Sequence, residues 1–240
     1  MNGKIWSALC YFSRGELALW GISALLVTAS FLLFDRENLL TLAASLIGVT
    51  SLIFNARGNP FGQLLMVVFS LLYGVISYTF AYYGEMITYL GMTGPMAFFA
   101  LVAWLRNPYN GNRAEVTVNR LSRREQVFMY VLTALVTAVF YFILAAFHTA
   151  YLPLSTLSVA TSFLAVYLTF RRSPFFALAY ASNDVVLILL WTLASRDDPA
   201  YLSVVVCFVM FLLNDLYGFI SWRRMQYRQE RETAQRSRHA

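Results

Sequence analysis

Apolar residues run through most of this chain in stretches of about twenty, and lipid leaves a stretch of that length one stable form. Hydrocarbon offers no water to the backbone N–H and C=O groups, so each stretch must satisfy them internally as a helix. Eight helices are predicted: Gly15–Phe34, Leu39–Phe54, Phe61–Tyr83, Met86–Leu105, Gln126–Phe147, Leu152–Phe170, Pro174–Ala194 and Tyr201–Trp222. At about 1.5 Å per residue each is roughly long enough to span, and the second is the shortest. The chain is 59% hydrophobic and 12% charged. That is about half the charge of a soluble domain, so this is an all-α integral membrane protein. No cleavable signal is expected, because the first apolar segment is too long for one and no small-x-small site follows it.

Charge sets the orientation. With the basic tail Arg223–Arg238 in the cytoplasm, alternation of eight spans places every Lys and Arg there except Arg36 and Arg196. Those two sit beside acids, Asp35 and Glu37 in one loop and Asp197 and Asp198 in the other. This is the positive-inside pattern, with both termini cytoplasmic, and it accounts for the net charge of +6 without a nucleic-acid partner. Cys10 and Cys207 lie far apart and give no disulfide framework. His148 and His239 are too few for a zinc or haem site, so no metal and no cofactor are expected.

Two short signatures occur twice. Arg57-Gly58-Asn59-Pro60-Phe61 returns as Arg171-Arg172-Ser173-Pro174-Phe175, and Trp104-Leu105-Arg106 returns as Trp222-Arg223-Arg224. Each pair brackets an apolar region of two helices. With the preceding helix added, residues 39–106 and 152–224 form two three-helix units. Three is odd, so a linker helix between them makes the units parallel. The predicted layout is one extra N-terminal helix (1–38), then a 3+1+3 parallel pseudo-repeat, with 107–151 as loop and linker helix and 225–240 as a cytoplasmic tail. Repeats of this kind place a transporter's substrate site between the halves. The loop Asn107–Glu125 is read as a surface connection without chemistry, and the tail as a solvated helix end. Pro95 is expected to bend helix four.

Polar groups inside spans need a partner or a cavity. Asn183-Asp184 falls midway along helix seven, and Asn214-Asp215 in the cytoplasmic half of helix eight. Tyr180, Asp184 and Trp191 share one face of helix seven at offsets of four and seven, with Asn183 bordering it. Asn214, Tyr217, Gly218 and Ser221 form a stripe on helix eight, and Ser70, Tyr73, Gly74 and Ser77 on helix three. Gln63 lies near the start of helix three. Glu16 and Glu85 are at span ends and are expected to be solvated. The candidate substrate-binding set is therefore Asn183, Asp184, Tyr180, Asn214, Trp191, Tyr217, Tyr73 and Gln63. Aromatic rings there would stack on a ring, and Asn and Asp would bond an amide or sugar hydroxyls. The serines and threonines of these stripes are read chiefly as helix-packing positions.

Asn214-Asp215-Leu216-Tyr217-Gly218-Phe219-Ile220-Ser221-Trp222-Arg223 resembles the end of the last helix in the PnuC family of bacterial vitamin transporters. Leu72-Tyr73-Gly74-Val75-Ile76-Ser77-Tyr78 and Tyr83-Gly84-Glu85 resemble its first half. The resemblance covers most of the chain from Asn55 onward. It implies the three-one-three arrangement, a likeness to the sugar-carrying SWEET proteins, and a bacterial inner-membrane location. It also implies nicotinamide riboside as cargo, for vitamin B3 uptake and NAD biosynthesis. Transport would be facilitated diffusion, with an intracellular kinase trapping the product. Many members carry Trp-x-x-x-Asn in helix seven. Here Asn183 matches the Asn, but Ala179 stands at the Trp position and Tyr180 is adjacent. Relatives carry thiamine, riboflavin or deoxynucleosides, so the cargo is open to these.

A membrane-embedded enzyme is the reading from another class. No Ser-His or Cys-His set, metal cluster or phosphate-binding Gly loop supports it. The expectation is therefore a carrier and not an enzyme, with the lipid bilayer and a nucleoside-like vitamin as partners. An oligomer is compatible with the sequence, which sets no number of copies.

Overall fold

The computed structural model describes residues 11–79 and 83–239. It contains eight helices long and apolar enough to cross a membrane. They are α1 (Arg14–Phe34), α2 (Leu39–Ala56), α3 (Pro60–Thr79), α4 (Tyr83–Leu105), α5 (Arg123–Ala146), α6 (Leu152–Phe170), α7 (Phe176–Ala194) and α8 (Leu202–His239). The eight-helix, all-α architecture expected from the sequence is the one observed. Lys4 and Cys10 lie outside the described residues, as do residues 80–82 at the expected end of helix three. α8 does not stop at Trp222 but continues to His239. The tail is rich in Arg, Gln and Glu, which are good helix formers, and it has a surface to lean on.

That surface is the loop expected to be featureless. It folds into a hairpin of β1 (Pro108–Tyr109) and β2 (Asn112–Val116). Asn110 and Gly111 turn it with φ of 50° and 80°, the left-handed pair that a two-residue hairpin turn requires. The tail of α8 is strapped to this hairpin. Gln229 Nε2 donates to Val116 O at 3.0 Å, Glu232 accepts from the Tyr109 hydroxyl at 2.6 Å, and Arg228 pairs with Glu115.

Pro95 acts differently from a simple bend. It lacks the N–H that would bond one turn back, and the helix answers with a π-helical segment, Tyr89–Thr93, immediately before it. Gly94 N–H reaches back to Tyr89 O. Gly74 on α3 makes room for this wide turn, since a Cβ there would lie 2.5 Å from the Leu90 side chain.

The hairpin also fixes how the halves are related. Val116 N–H donates to Gly58 O, and Asn119 N–H donates to Arg172 O, each at 3.0 Å. These donors are three residues apart, at most about 10 Å of chain. The α2–α3 and α6–α7 loops therefore lie on one face, as a parallel repeat requires. The loops are built alike. Gly58 and Arg172, 114 positions apart (172 minus 58), both have left-handed backbones, with φ of 66° and 57°. Asn59 N–H donates to Phe54 O and Ser173 N–H to Leu168 O, each at 3.0 Å.

The second signature closes the bundle. Trp104 Nε1, at the end of α4, donates to Thr169 O at the end of α6, at 2.9 Å. Trp222 Nε1, on α8, donates to Asn55 O at the end of α2, at 2.7 Å. Residues 55 and 169 differ by the same 114. Each tryptophan thus satisfies a terminal carbonyl on the first helix of the other unit. The two indoles meet at 5.3 Å between centroids, and Phe176 lies edge-on against both.

The helices that precede the units match as well. Ser13-Arg14-Gly15-Glu16 opens α1, and Ser122-Arg123-Arg124-Glu125 opens α5. Both serine hydroxyls accept the glutamate N–H as N-caps. Glu16 pairs with Arg57 and Glu125 with Arg171. So the N-terminal helix and the linker helix stand in equivalent places, each ahead of its unit. We infer from these paired contacts that 39–106 and 152–224 are the two units of the repeat. α5 turns Val127, Val131, Leu135 and Phe142 outward, as a helix facing lipid does.

Trp104→Phe and Trp222→Phe each strip a donor from a buried carbonyl. Each should cost about 1–2 kcal/mol and lower the thermal midpoint in detergent by a similar amount. A loss confined to one variant would break the equivalence.

Candidate functional site

Polar side chains from both units converge within the bundle. α3 brings Ser70, Tyr73 and Ser77 on one face, α4 brings Glu85 and Tyr89, α7 brings Asp184 and Trp191, and α8 brings Asp215. All are buried. Tyr73 and Tyr89 stack obliquely at 4.4 Å between centroids, and Phe208 of α8 lies edge-on to Tyr73 at 6.1 Å. Tyr73 and Trp191 belong to one buried cluster, so side chains of α3 and α7 share a core there. Ser70 Oγ, Ser77 Oγ and Glu85 Oε2 have no hydrogen-bond partner among the described residues. Orphaned polar atoms in a core are costly, and at a ligand site the ligand satisfies them.

Asp184 and Asp215 stand on the packed helices α7 and α8, within electrostatic reach of each other. They are 3% and 4% exposed. Neighbouring groups within electrostatic reach of Asp184 are Tyr89, Tyr180 and Cys207. Tyr180 is half-buried and packs edge-on against Phe176.

The expected binding set divides into three groups. Tyr73, Tyr180, Asp184 and Trp191 belong to the central cluster. Asn183 and Asn214 are bridges between helices. Asn183 Oδ1 accepts from Thr161 Oγ1 at 2.8 Å and Ser162 Oγ at 3.0 Å, which ties α7 to α6. Its amide NH2 is what remains to offer a ligand. Asn214 Nδ2 donates to Ser23 Oγ of α1 at 2.9 Å, so Asn214 faces α1 rather than Asp184. Gln63 and Tyr217 lie at the basic face. Gln63 Nε2 donates to Asn55 Oδ1 at 2.8 Å, and the Tyr217 hydroxyl to Glu16 Oε1 at 2.9 Å.

Two glutamates expected to be solvated are not. Glu85 is only 5% exposed, and Glu16 only 2%. Glu16 is held because it caps its own helix, accepts from Tyr217 and pairs with Arg57 at 2.6 Å. Sequence position near a span end missed this, since the partners come from α8 and the α2–α3 loop. Arg57 in turn lies 5.5 Å over the Tyr11 ring. Burial pushes the Tyr11 phenol up, opposed by the hydrogen bond from Asn59 and the charge of Arg57. A cavity of about 250 Å³ opens on this face, with Arg57, Ser221, Arg224 and Arg228 among its walls. Tyr89 and Asp215 were absent from the expected set. Tyr89 was findable as the residue one turn, four positions, beyond Glu85.

The family model described as nicotinamide mononucleotide transporter matches residues 38–224. Among curated proteins, the nicotinamide riboside transporter PnuC of Neisseria mucosa (strain ATCC 25996 / DSM 4631 / NCTC 10774 / M26) is 27% identical over 213 residues. That match spans 87% of this chain and 81% of the relative. Among solved structures, the crystal structure of the vitamin B3 transporter PnuC superposes with a TM-score of 0.79 at 23% identity. It covers 91% of this chain and 94% of that one, and so shares the fold.

The two classes of ion pair on the basic face should respond differently to loss of one partner. Glu230 pairs with Arg120 at an open surface, where side chains are 40% and 72% exposed. Glu230→Ala should cost under about 1 kcal/mol. Glu16→Ala removes a cap, a pair and the acceptor of Tyr217 together, and should cost more than about 2 kcal/mol. Equal shifts in thermal midpoint would contradict this.

Proposed function

The chain belongs to the nicotinamide mononucleotide transporter family, and on that premise we propose that it carries nicotinamide riboside across a bacterial inner membrane. The observation that carries this reading is the central cluster. It draws on residues from both 39–106 and 152–224, is walled by Tyr73, Tyr89 and Trp191, and holds buried polar atoms with no hydrogen-bond partner among the described residues. Nicotinamide riboside is a flat aromatic ring bearing an amide, joined to a hydroxyl-rich sugar. Rings suit the first part, and the hydroxyls of Ser70 and Ser77 with the acids suit the second. Within the family pattern, Asn183 offers its amide from α7 and Tyr180 stands beside the Ala179 position. The name of the Neisseria relative points to the same cargo. A carrier in this family is not an enzyme.

The basic face is the cytoplasmic one, with the described ends of α1 and α8 on it. That side carries Arg57, Arg171, the hairpin and the tail of α8, which is the positive-inside arrangement. Cysteines at Arg36 and Arg196 should react with an impermeant reagent added to intact cells, and one at Arg113 should not. Labelling at Arg113 would invert the assignment.

Flow is facilitated diffusion, and phosphorylation by an intracellular kinase traps the product. The sequence has no nucleotide-binding Gly loop, so ATP has no place in this chain. Proteoliposomes without a membrane potential should equilibrate labelled nicotinamide riboside to equal concentrations, whatever the pH gradient. Kinase and ATP inside the vesicles should drive accumulation past that point. Uphill accumulation from a proton gradient alone would sink the passive mechanism, and no uptake would sink the cargo.

A further inference from the structure

We infer that a second, larger cavity on the basic face, between the start of α5, the α6–α7 loop and α8, binds the headgroup of an anionic phospholipid. The inference stands apart from the cargo and needs only that the chain sits in a bilayer.

The cavity holds about 540 Å³. Arg120, Ser173, Arg223 and Gln226 supply its walls with hydrogen-bond donors, and Tyr130 and Phe175 supply rings. No Asp or Glu is among its lining residues. The smaller cavity on the same face differs, since Glu115 is in its wall and two of its arginines, Arg57 and Arg228, are paired with acids.

Arg223 is held in place without being neutralised. Its Nη1 donates to Gln226 Oε1 at 2.6 Å and its Nη2 to the Tyr227 hydroxyl at 2.7 Å. The guanidinium lies 5.8 Å over the Phe175 ring and 4.9 Å over the Tyr227 ring. All these partners are neutral, and among the described residues no carboxylate pairs with Arg223. Gln226 is 5% exposed, and with Oε1 taken by Arg223 its Nε2 is left without an acceptor among the described residues. The side chain of Ser173, 3% exposed, also forms no hydrogen bond with them. Buried donors of this kind call for an acceptor, and a phosphodiester beside a guanidinium is a strong one.

The repeat shows that the fold does not require this arginine. Trp104-Leu105 corresponds to Trp222-Arg223, and Leu105 is 55% exposed, as a lipid-facing side chain is. The position of the cavity favours a lipid over a soluble phosphate ester. α5 has 24 residues, about 36 Å, against a hydrocarbon core of about 30 Å, so its first turns stand among headgroups. Tyr130, in the second of those turns, is 60% exposed, and Phe175 is 50% exposed. A phospholipid matches both parts of the site, with phosphate on the donors and acyl chains along the rings. Basic pockets at the cytoplasmic side of membrane proteins take headgroups in this way.

The experiment is a titration of thermal midpoint for the purified, delipidated full-length protein in detergent. The probes are dioctanoyl phosphatidylglycerol, dioctanoyl phosphatidylcholine and glycerol 1-phosphate. Phosphatidylglycerol should raise the midpoint in a saturable way, and the other two should not. Arg223→Leu, which installs the residue of the matching position, should weaken the phosphatidylglycerol response about fivefold or more. Gln226→Glu keeps the acceptor for Arg223 but neutralises it, and should weaken the response as much while the protein stays folded. Arg113→Leu, at an exposed arginine outside the cavity, should leave it unchanged. An equal response to phosphatidylcholine, or none to either lipid, overturns the inference. So does a response to glycerol 1-phosphate as strong as that to the lipid, which would make the ligand a soluble phosphate. Equal weakening in Arg113→Leu overturns it as well, because the attraction would then belong to the whole face. If Arg223→Leu does not purify as a single species, Gln226→Glu decides, and a full response there counts against the site.

Discussion

The crossed hydrogen bonds of Trp104 and Trp222 hold the architecture together. A helix that ends in a membrane protein leaves carbonyls without N–H partners, and burying those carbonyls is costly. Here an indole N–H from the third helix of each unit reaches a carbonyl at the end of the first helix of the other. The contact is reciprocal, so neither unit can satisfy its own terminus without its mate. It also fixes which ends meet. Once α2 and α6 end against the opposite tryptophans, their following loops share a face and α3 and α7 must start from that face.

The basic face is then built outward from this knot. Arg57 and Arg171 each find a glutamate in the first turn of the helix ahead of their unit, and the hairpin with the segment that follows it bonds to both loops. The long α8 lies on the hairpin and locks it. The result is a dense polar collar around two buried indoles. Towards the centre the polar groups change in kind. At the collar the acids have arginines, whereas in the core no arginine or lysine among the described residues pairs with Glu85, Asp184 or Asp215, and Glu85 Oε2 and Asp184 Oδ2 have no hydrogen-bond partner among them. A ligand that completes the inner set is the economical explanation of that contrast.

The π segment of α4 belongs to the same design. Pro95 would leave an unsatisfied carbonyl in an ordinary helix, and the wider turn accommodates it. That turn begins at Tyr89, so the local irregularity sets where this ring stands against Tyr73. π turns occur often at functional sites, because they re-aim side chains without ending the helix.

Much of the fold was legible from the chain alone. Eight spans, their order, the loop-charge alternation and the paired signatures all follow from local properties: apolar length, proline position and arginine count. The Ser-Arg-x-Glu openings of α1 and α5 were equally local, and they show the preceding helices to be matched as well. What the sequence could not decide was which buried groups face one another. Helical spacing put Asp184 on one stripe of α7 with Asn183 bordering it, and Asn214 on a stripe of α8, but a stripe has no knowledge of the neighbouring helix. Packing turned Asn183 to α6 and Asn214 to α1, and left Asp184 within electrostatic reach of Asp215. Glu16 and Glu85 looked solvated because they stand near span ends. Only the tertiary structure supplies Arg57 and Tyr217 to the one and leaves Oε2 of the other buried without a partner among the described residues. Apolar length is summed along the chain and can be read there, whereas the partners of a buried charge come from far along it, 41 positions for Glu16 and Arg57 and 201 for Glu16 and Tyr217.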